Sequence, residues 1–140
     1  MELRPFAEAD RQAAVVLWHR CGLVRPWNDP DRDIDAKLAH DPDGFIVATT
    51  GAPARHLVGT VMVGYEGHRG WVNHLGVDPA HRRAGLGRRL VDAAEAHLRA
   101  RGCPKLNLQV RAGNSGALAF YERLGYAVDD VVSMGKRLDR

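Results

Sequence analysis

The stretch Leu75 to Leu90, LGVDPAHRRAGLGRRL, limits what this 140-residue chain can fold into more than any other. Leu75 and Val77 suit a buried strand. Asp78-Pro79 ends it, because proline fixes φ and brings no N–H to a ladder. Arg82-Arg83-Ala84-Gly85-Leu86-Gly87 then leads into a run that is apolar at Leu86, Leu90, Ala94 and Leu98. That spacing lays one stripe along a helix. A strand, a glycine-bearing turn and a helix start therefore follow one another without a break.

Such a junction favours an anion. The first turn of a helix carries unpaired backbone N–H groups and the positive end of the dipole. Gly85 and Gly87 remove the Cβ atoms that would keep a phosphate from those N–H groups. Arg82, Arg83, Arg88 and Arg89 add charge and forked donors. A pyrophosphate is the natural guest. The third glycine of the dinucleotide fingerprint is missing, since Arg88-Arg89-Leu90 follows Gly87, and no GxxxxGK[ST] occurs. The competing reading is that the glycines only permit tight packing and the arginines form a solvated face.

A second block, Asn114-Ser-Gly-Ala117-Leu-Ala-Phe120-Tyr121-Glu-Arg-Leu-Gly125-Tyr126, stands downstream. Taken with Arg82-x-x-Gly85-x-Gly87 after Gly-Val-Asp-Pro, it resembles the paired signatures of the GNAT N-acetyltransferases. The stretches Arg25-Pro26-Trp27-Asn28-Asp29-Pro30, Gly67-His68-Arg69-Gly70 and Arg101-Gly102-Cys103-Pro104-Lys105 narrow the likeness to small bacterial YpeA-like members. The resemblance covers essentially the whole chain.

Composition agrees with one soluble domain spanning residues 1–140, with 45% hydrophobic and 26% charged residues. No apolar run approaches the ~20 residues of a membrane span. The opening Met-Glu-Leu-Arg-Pro lacks a signal-peptide core, so a cytoplasmic location without a membrane partner is expected. Cys21 and Cys103 are too few for a disulfide framework, and the seven histidines show no metal spacing. We expect no metal. A net charge of +3 would suit a nucleic-acid surface, but the basic residues gather at the glycine loop and no aromatic-interleaved basic stripe exists. Nucleic acid is not an expected partner.

Read in order, Glu2–Pro5 is a first strand and Ala9–Cys21 a helix ended by Gly22. Asp29 is an N-cap and Pro30 the first residue of a second helix. Strands are expected at 45–50, 57–65 and 71–77, the first two forming a hairpin, with the central helix running to about Arg101. Leu106, Leu108 and Val110 alternate as a strand, 115–124 is helical, and strands near 126–128 and 132–137 complete the chain. An edge strand at the C-terminus would offer a homodimer its pairing surface. The fold class is α/β of the α+β kind: a mixed, mostly antiparallel sheet flanked by helices. The resemblance adds a splayed strand pair where the coenzyme inserts.

The resemblance implies transfer of an acetyl group from acetyl-CoA to an amine. Backbone N–H groups of Arg82, Arg83, Ala84, Gly85, Leu86, Gly87 and Arg88 would hold the pyrophosphate, and the backbone of Leu75, Gly76 and Val77 the pantetheine. Asn114 would contact that arm, with helix capping as its competing role. Tyr121 would be the general acid to the departing thiolate, with core packing as the alternative. The base is less defined. The family's positions for it fall near Trp71 and Asn73, and neither side chain is basic. His74 faces away on a regular strand, unless a bulge turns it. Glu66 is the base candidate, with His68 beside it and a water chain as the alternative. Trp18, Arg25, Trp27, Asn28 and Asp29 would form the acceptor site. The acidic run Asp29, Asp31, Asp33 and Asp35 would either attract a cationic amine or serve capping and the helix dipole. A non-catalytic acyl-CoA sensor is the rival function. Neither cysteine sits in a motif for an acyl-enzyme, so direct attack in a ternary complex is expected.

Overall fold

Apolar residues alternating along three neighbouring strands give the sheet two covered faces. A computed structural model describes residues 1–139. The chain forms two units, Met1–Leu108 and Gln109–Arg140. The first unit holds β1 (Glu2–Pro5), α1 (Arg11–Arg20), α2 (Pro30–His40), β2 (Phe45–Thr49), β3 (Leu57–Tyr65), β4 (Gly70–Val77), α3 (Leu86–Arg99) and β5 (Leu106–Asn107). Its strands lie in the order β1-β2-β3-β4-β5. The first three pairings are antiparallel and β4–β5 is parallel. The mixed, mostly antiparallel sheet expected from the sequence is present. No helix among the described residues is long and apolar enough to cross a membrane.

On one face Leu86, Leu90, Ala94 and Leu98 of α3 pack on Ala48, Val58, Val61, Val63 and Val72. Each large side chain buried there contributes roughly 2 kcal/mol. On the other face Ala14, Trp18 and Ile34 of α1 and α2 meet Phe45, Val47 and Met62. The helix ends follow local chemistry. The Asp29 carboxylate accepts from the N–H groups of Asp31 and Arg32. Gly22 takes φ +70° just past α1, a conformation that only glycine adopts cheaply. α1 begins at Arg11 and not Ala9. The Asp10 carboxylate binds Arg4 (2.8 Å) and the Ala7 N–H (2.8 Å), which tightens residues 8–10 into a 3₁₀ turn.

The decisive irregularity lies in β4. Thr60 pairs with Gly76 and Met62 with Asn73, so Val61 alone opposes both His74 and Leu75. His74 has φ +52°. This is a bulge, and it offsets the alternation by one residue. Val72 before it and Leu75 and Val77 after it pack on the α3 face. His74 instead turns to the α1 face, its ring 4.4 Å from that of Trp18. The expectation from strict alternation, that His74 points away from the Asn73 side, is corrected. A buried relay holds the bulge: Trp18 Nε1–H donates to Thr60 Oγ1 (2.8 Å), whose hydroxyl donates to the His74 carbonyl (2.8 Å). Trp18 and Thr60 are both fully buried.

β4 and β5 pair only at Gly70–Leu106 and Trp71–Asn107. Beyond Trp71 the two strands separate, and among the described residues no strand pairs with the β4 edge from Val72 to Val77 on that side of the sheet. The strand expected through Val110 therefore stops at Asn107, although Leu106 and Leu108 still pack on the α3 face. In the second unit α4 (Ser115–Arg123) matches its expected span closely. No strand forms in 126–128 or 132–137, and Val128, Val132 and Met134 are exposed. Alternation supplies a strand's pattern, but a ladder also needs a partner edge.

Thr60→Val keeps the shape of the side chain while stranding the Trp18 N–H and the His74 carbonyl. We expect a loss of roughly 2 kcal/mol or more in urea unfolding, since each buried unpaired group costs about 1–3 kcal/mol.

Candidate active site

Two backbone features prepare the end of β4 for a ligand. The Asp78 N–H goes to the Val58 carbonyl (2.8 Å), so by antiparallel pairing the backbone groups of Leu75 and Val77 point away from β3, toward the open edge. The Val77 carbonyl there accepts from Arg82 Nε (3.1 Å). Gly76 faces α1: a Cβ on it would meet Leu23 Cδ1 at 3.2 Å and Cys21 Sγ at 3.4 Å. The chain then turns at Asp78, whose buried carboxylate accepts from Ala80 N–H (2.9 Å) and pairs with Arg20 (2.7 Å). No free carboxylate is left at that turn to repel an anion.

The loop that follows has the form of a cradle. Arg83 (φ +69°) and Gly85 (φ +78°) are left-handed, and Gly85 caps the fourteen-residue α3. Among the described residues no backbone N–H from Arg82 to Arg88 has an acceptor. Arg82, Arg83, Ala84 and Gly85 are exposed, while Leu86 is buried and pins the helix start to the core. None of the described residues lies within 4 Å of a Cβ built on Gly85, so tight packing is not what requires glycine there. Backbone conformation requires it. Successive N–H groups in such turns, added to a helix N-terminus, form an anion-binding concavity. Gly87 and Arg88 lie in the first turn of α3.

On the α1 face the loop between α1 and α2 packs beside β4 through Leu23. Asn28 Oδ1 accepts from Arg25 N–H (2.9 Å), and Asn28 Nδ2 donates to Asp33 Oδ2 (3.2 Å). The same Asp33 oxygen lies 3.4 Å from His74 Nε2. Burial lowers the pKa of His74, and Asp33 only partly opposes that shift. The ring is thus neutral near pH 7, with Nδ1 buried and unpartnered. His74 is the functional candidate that strand periodicity misses, because a bulge leaves no mark in a hydrophobic pattern.

The other predicted residues separate by environment. Trp18 is fully buried in the core, so its expected role as a substrate contact is corrected: it positions Thr60. Trp27 is half exposed on the loop. Asp29 caps α2, while Asp31 (3.3 Å) and Asp35 (2.6 Å) both bind Arg11. Of the four aspartates only Asp33 faces His74. Glu66 caps its own turn. Its carboxylate accepts the N–H groups of Arg69 and His68, which hold its pKa below the usual carboxylate range. A carboxylate so engaged is a poor base.

In the second unit Asn114 caps α4, its Oδ1 accepting from Ala117 N–H (3.0 Å). Tyr121 is seven residues on and therefore on the same side of that helix. Its ring stands edge-on to Phe120 (5.0 Å) and Tyr126 (5.8 Å). Burial pushes the Tyr121 pKa up to about 12, which keeps the phenol protonated and able to donate.

Residues 12–126 match the model of the acetyltransferase (GNAT) family. The chain belongs to the GNAT family. An acetyltransferase of Pectobacterium atrosepticum is 48% identical over 138 residues, covering 99% of this chain and 96% of the relative. A 6'-N-acetyltransferase for aminoglycoside antibiotics from Acinetobacter haemolyticus superposes with TM-score 0.76 at 19% identity, over 99% and 100% of the two chains. Naa20 of Chaetomium thermophilum, solved with a bisubstrate analogue, superposes with TM-score 0.73 at 24% identity, over 91% and 72%. This GNAT chain is an acyltransferase, and acetyl-CoA is the family's donor.

Gly85→Glu sets a carboxylate in the cradle at a left-handed position, a strain of about 1–2 kcal/mol that a fold of this size tolerates. Calorimetric titration of acetyl-CoA is expected to show at least a roughly hundredfold loss of affinity, from lost N–H contacts and charge repulsion. Unchanged affinity in the variant would remove the loop from the donor site.

Proposed function

We propose that this chain acetylates a primary amine by direct attack in a ternary complex, with His74 as the base in place of Glu66. The observation that carries this reading is the bulge that aims His74 at Asp33 beneath the α1–α2 loop. The family match spans residues 12–126 and supports reading both units as one catalytic domain.

Acetyl-CoA supplies an activated thioester carbonyl. The residues from Arg82 to Arg88 would bind its phosphates, and the β4 edge at Leu75 and Val77 would align the arm and offer a backbone N–H to the carbonyl oxygen. Asn114 is proposed as a further contact to that arm through the amide nitrogen its cap leaves free. The amine nitrogen forms the new C–N bond as the C–S bond breaks. His74 takes the amine proton, and Asp33, 3.4 Å from Nε2, stabilises the imidazolium. Tyr121 gives its proton to the leaving thiolate, for which a neutral phenol is required. Positioning of the amine against the thioester supplies most of the remaining acceleration.

His74→Gln should lower kcat by roughly 10²–10⁴, the usual worth of a general base. In the wild type kcat/KM should fall on the acid side, with an apparent pKa below that of ordinary histidine, because a protonated ring accepts nothing. That limb should vanish in His74→Gln and persist in Glu66→Gln. Tyr121→Phe should lose turnover by roughly 10²-fold while acetyl-CoA affinity holds. Full thiol release by Tyr121→Phe would remove Tyr121 from the acid role, whereas acetyl-CoA binding by the wild type with no thiol release to any amine would favour the sensor reading.

A further inference from the structure

The acceptor face carries Arg25, a cation that pairs with no carboxylate among the described residues. Arg25 sits two residues beyond Leu23, which packs against the position of Gly76, and its backbone is tied by Asn28 to the Asp33–His74 pair. Its Nε is buried and has no hydrogen-bond partner, and among the described residues its guanidinium forms no ion pair. Every acid of the neighbouring helix is committed elsewhere: Asp29 to the α2 N-terminus, Asp31 and Asp35 to Arg11, Asp33 to Asn28 and His74. A half-buried guanidinium donor with no acceptor is costly unless a ligand supplies one. Arginine is matched to a carboxylate, which it binds by two parallel N–H bonds.

We propose that Arg25 binds a carboxylate on the acceptor, so that the substrate is an amine that also carries a carboxylate, an amino acid and not a polycation or peptide N-terminus. This rests on the acetyl-transfer reading above and deepens it. The two charges divide the work. Asp33 and His74 receive the amine, and Arg25 fixes the other end, so the amine arrives in one orientation.

The test compares matched acceptors: the proteinogenic amino acids, their carboxamides, and cadaverine as lysine without its carboxylate, each followed by thiol release from acetyl-CoA. One or more amino acids should be turned over with kcat/KM well above its carboxamide. Arg25→Gln should raise KM for that amino acid by roughly tenfold to a hundredfold, the worth of one charge-assisted contact. It should lower kcat/KM for the amino acid by much more than for its carboxamide while acetyl-CoA affinity holds, and Arg25→Lys should restore part of the loss. Turnover of carboxamides or cadaverine at rates equal to the amino acids overturns the inference while leaving acetyl transfer standing. Loss of acetyl-CoA affinity in Arg25→Gln also overturns it, by assigning the arginine to the donor. If no acceptor in the panel reacts, the inference falls, and the acetyl-transfer reading is then judged on acetyl-CoA binding to wild type and Gly85→Glu.

Discussion

An indole N–H, a threonine hydroxyl and one strand carbonyl hold the feature on which the acceptor face depends. Trp18 donates to Thr60 inside the core, and Thr60 donates to the His74 carbonyl at the edge of that core. A bulge frees a carbonyl from its ladder, and a freed carbonyl in a dry core demands a donor. The hydroxyl can serve because it both accepts and donates. The core therefore stabilises a backbone conformation at His74 that an ordinary residue on a straight strand would not adopt. Packing and chemistry share these atoms.

The same strand separates two kinds of recognition. Its open edge, past the point where β5 leaves it, exposes backbone groups of Leu75 and Val77. Its α1 face carries His74 and, across the loop, Asp33, Asn28 and Arg25. At its end the chain turns into unpaired N–H groups and the dipole of α3. One element thus brings a phosphate cradle, a backbone rail and a polar acceptor face together within the first unit. Helix α2 supplies the acceptor face with a single working carboxylate because Arg11 and the α2 N-terminus engage the others.

Much of this was legible from residue order. Asp29-Pro30 predicts a cap and a first helical residue, Gly22 a helix end, and the Leu86–Leu98 stripe the packed face of α3, since each depends on neighbours in sequence. The glycine loop was legible for the same reason. Strand ends were less so. Leu108 and Val110 alternate as well as Leu106 does, yet pairing stops where β4 and β5 part, and residues 126–137 have the pattern without a ladder. Trp18 looked like a stacking platform by composition, and only its burial shows that it serves the core.

By itself the sequence determined the order of elements, the helix caps and the phosphate-binding junction, because these arise from contacts within a few residues. Tertiary structure decided which way His74 faces, that Glu66 holds its own turn, which aspartates bind Arg11, and that Arg25 pairs with no carboxylate among the described residues. Each of those outcomes depends on partners tens of residues away: Thr60 for His74, Arg11 for Asp31 and Asp35. A period of two in a strand carries no sign of a bulge, and a charged side chain carries no sign of its partner. Both are fixed only when the sheet closes and the helices dock.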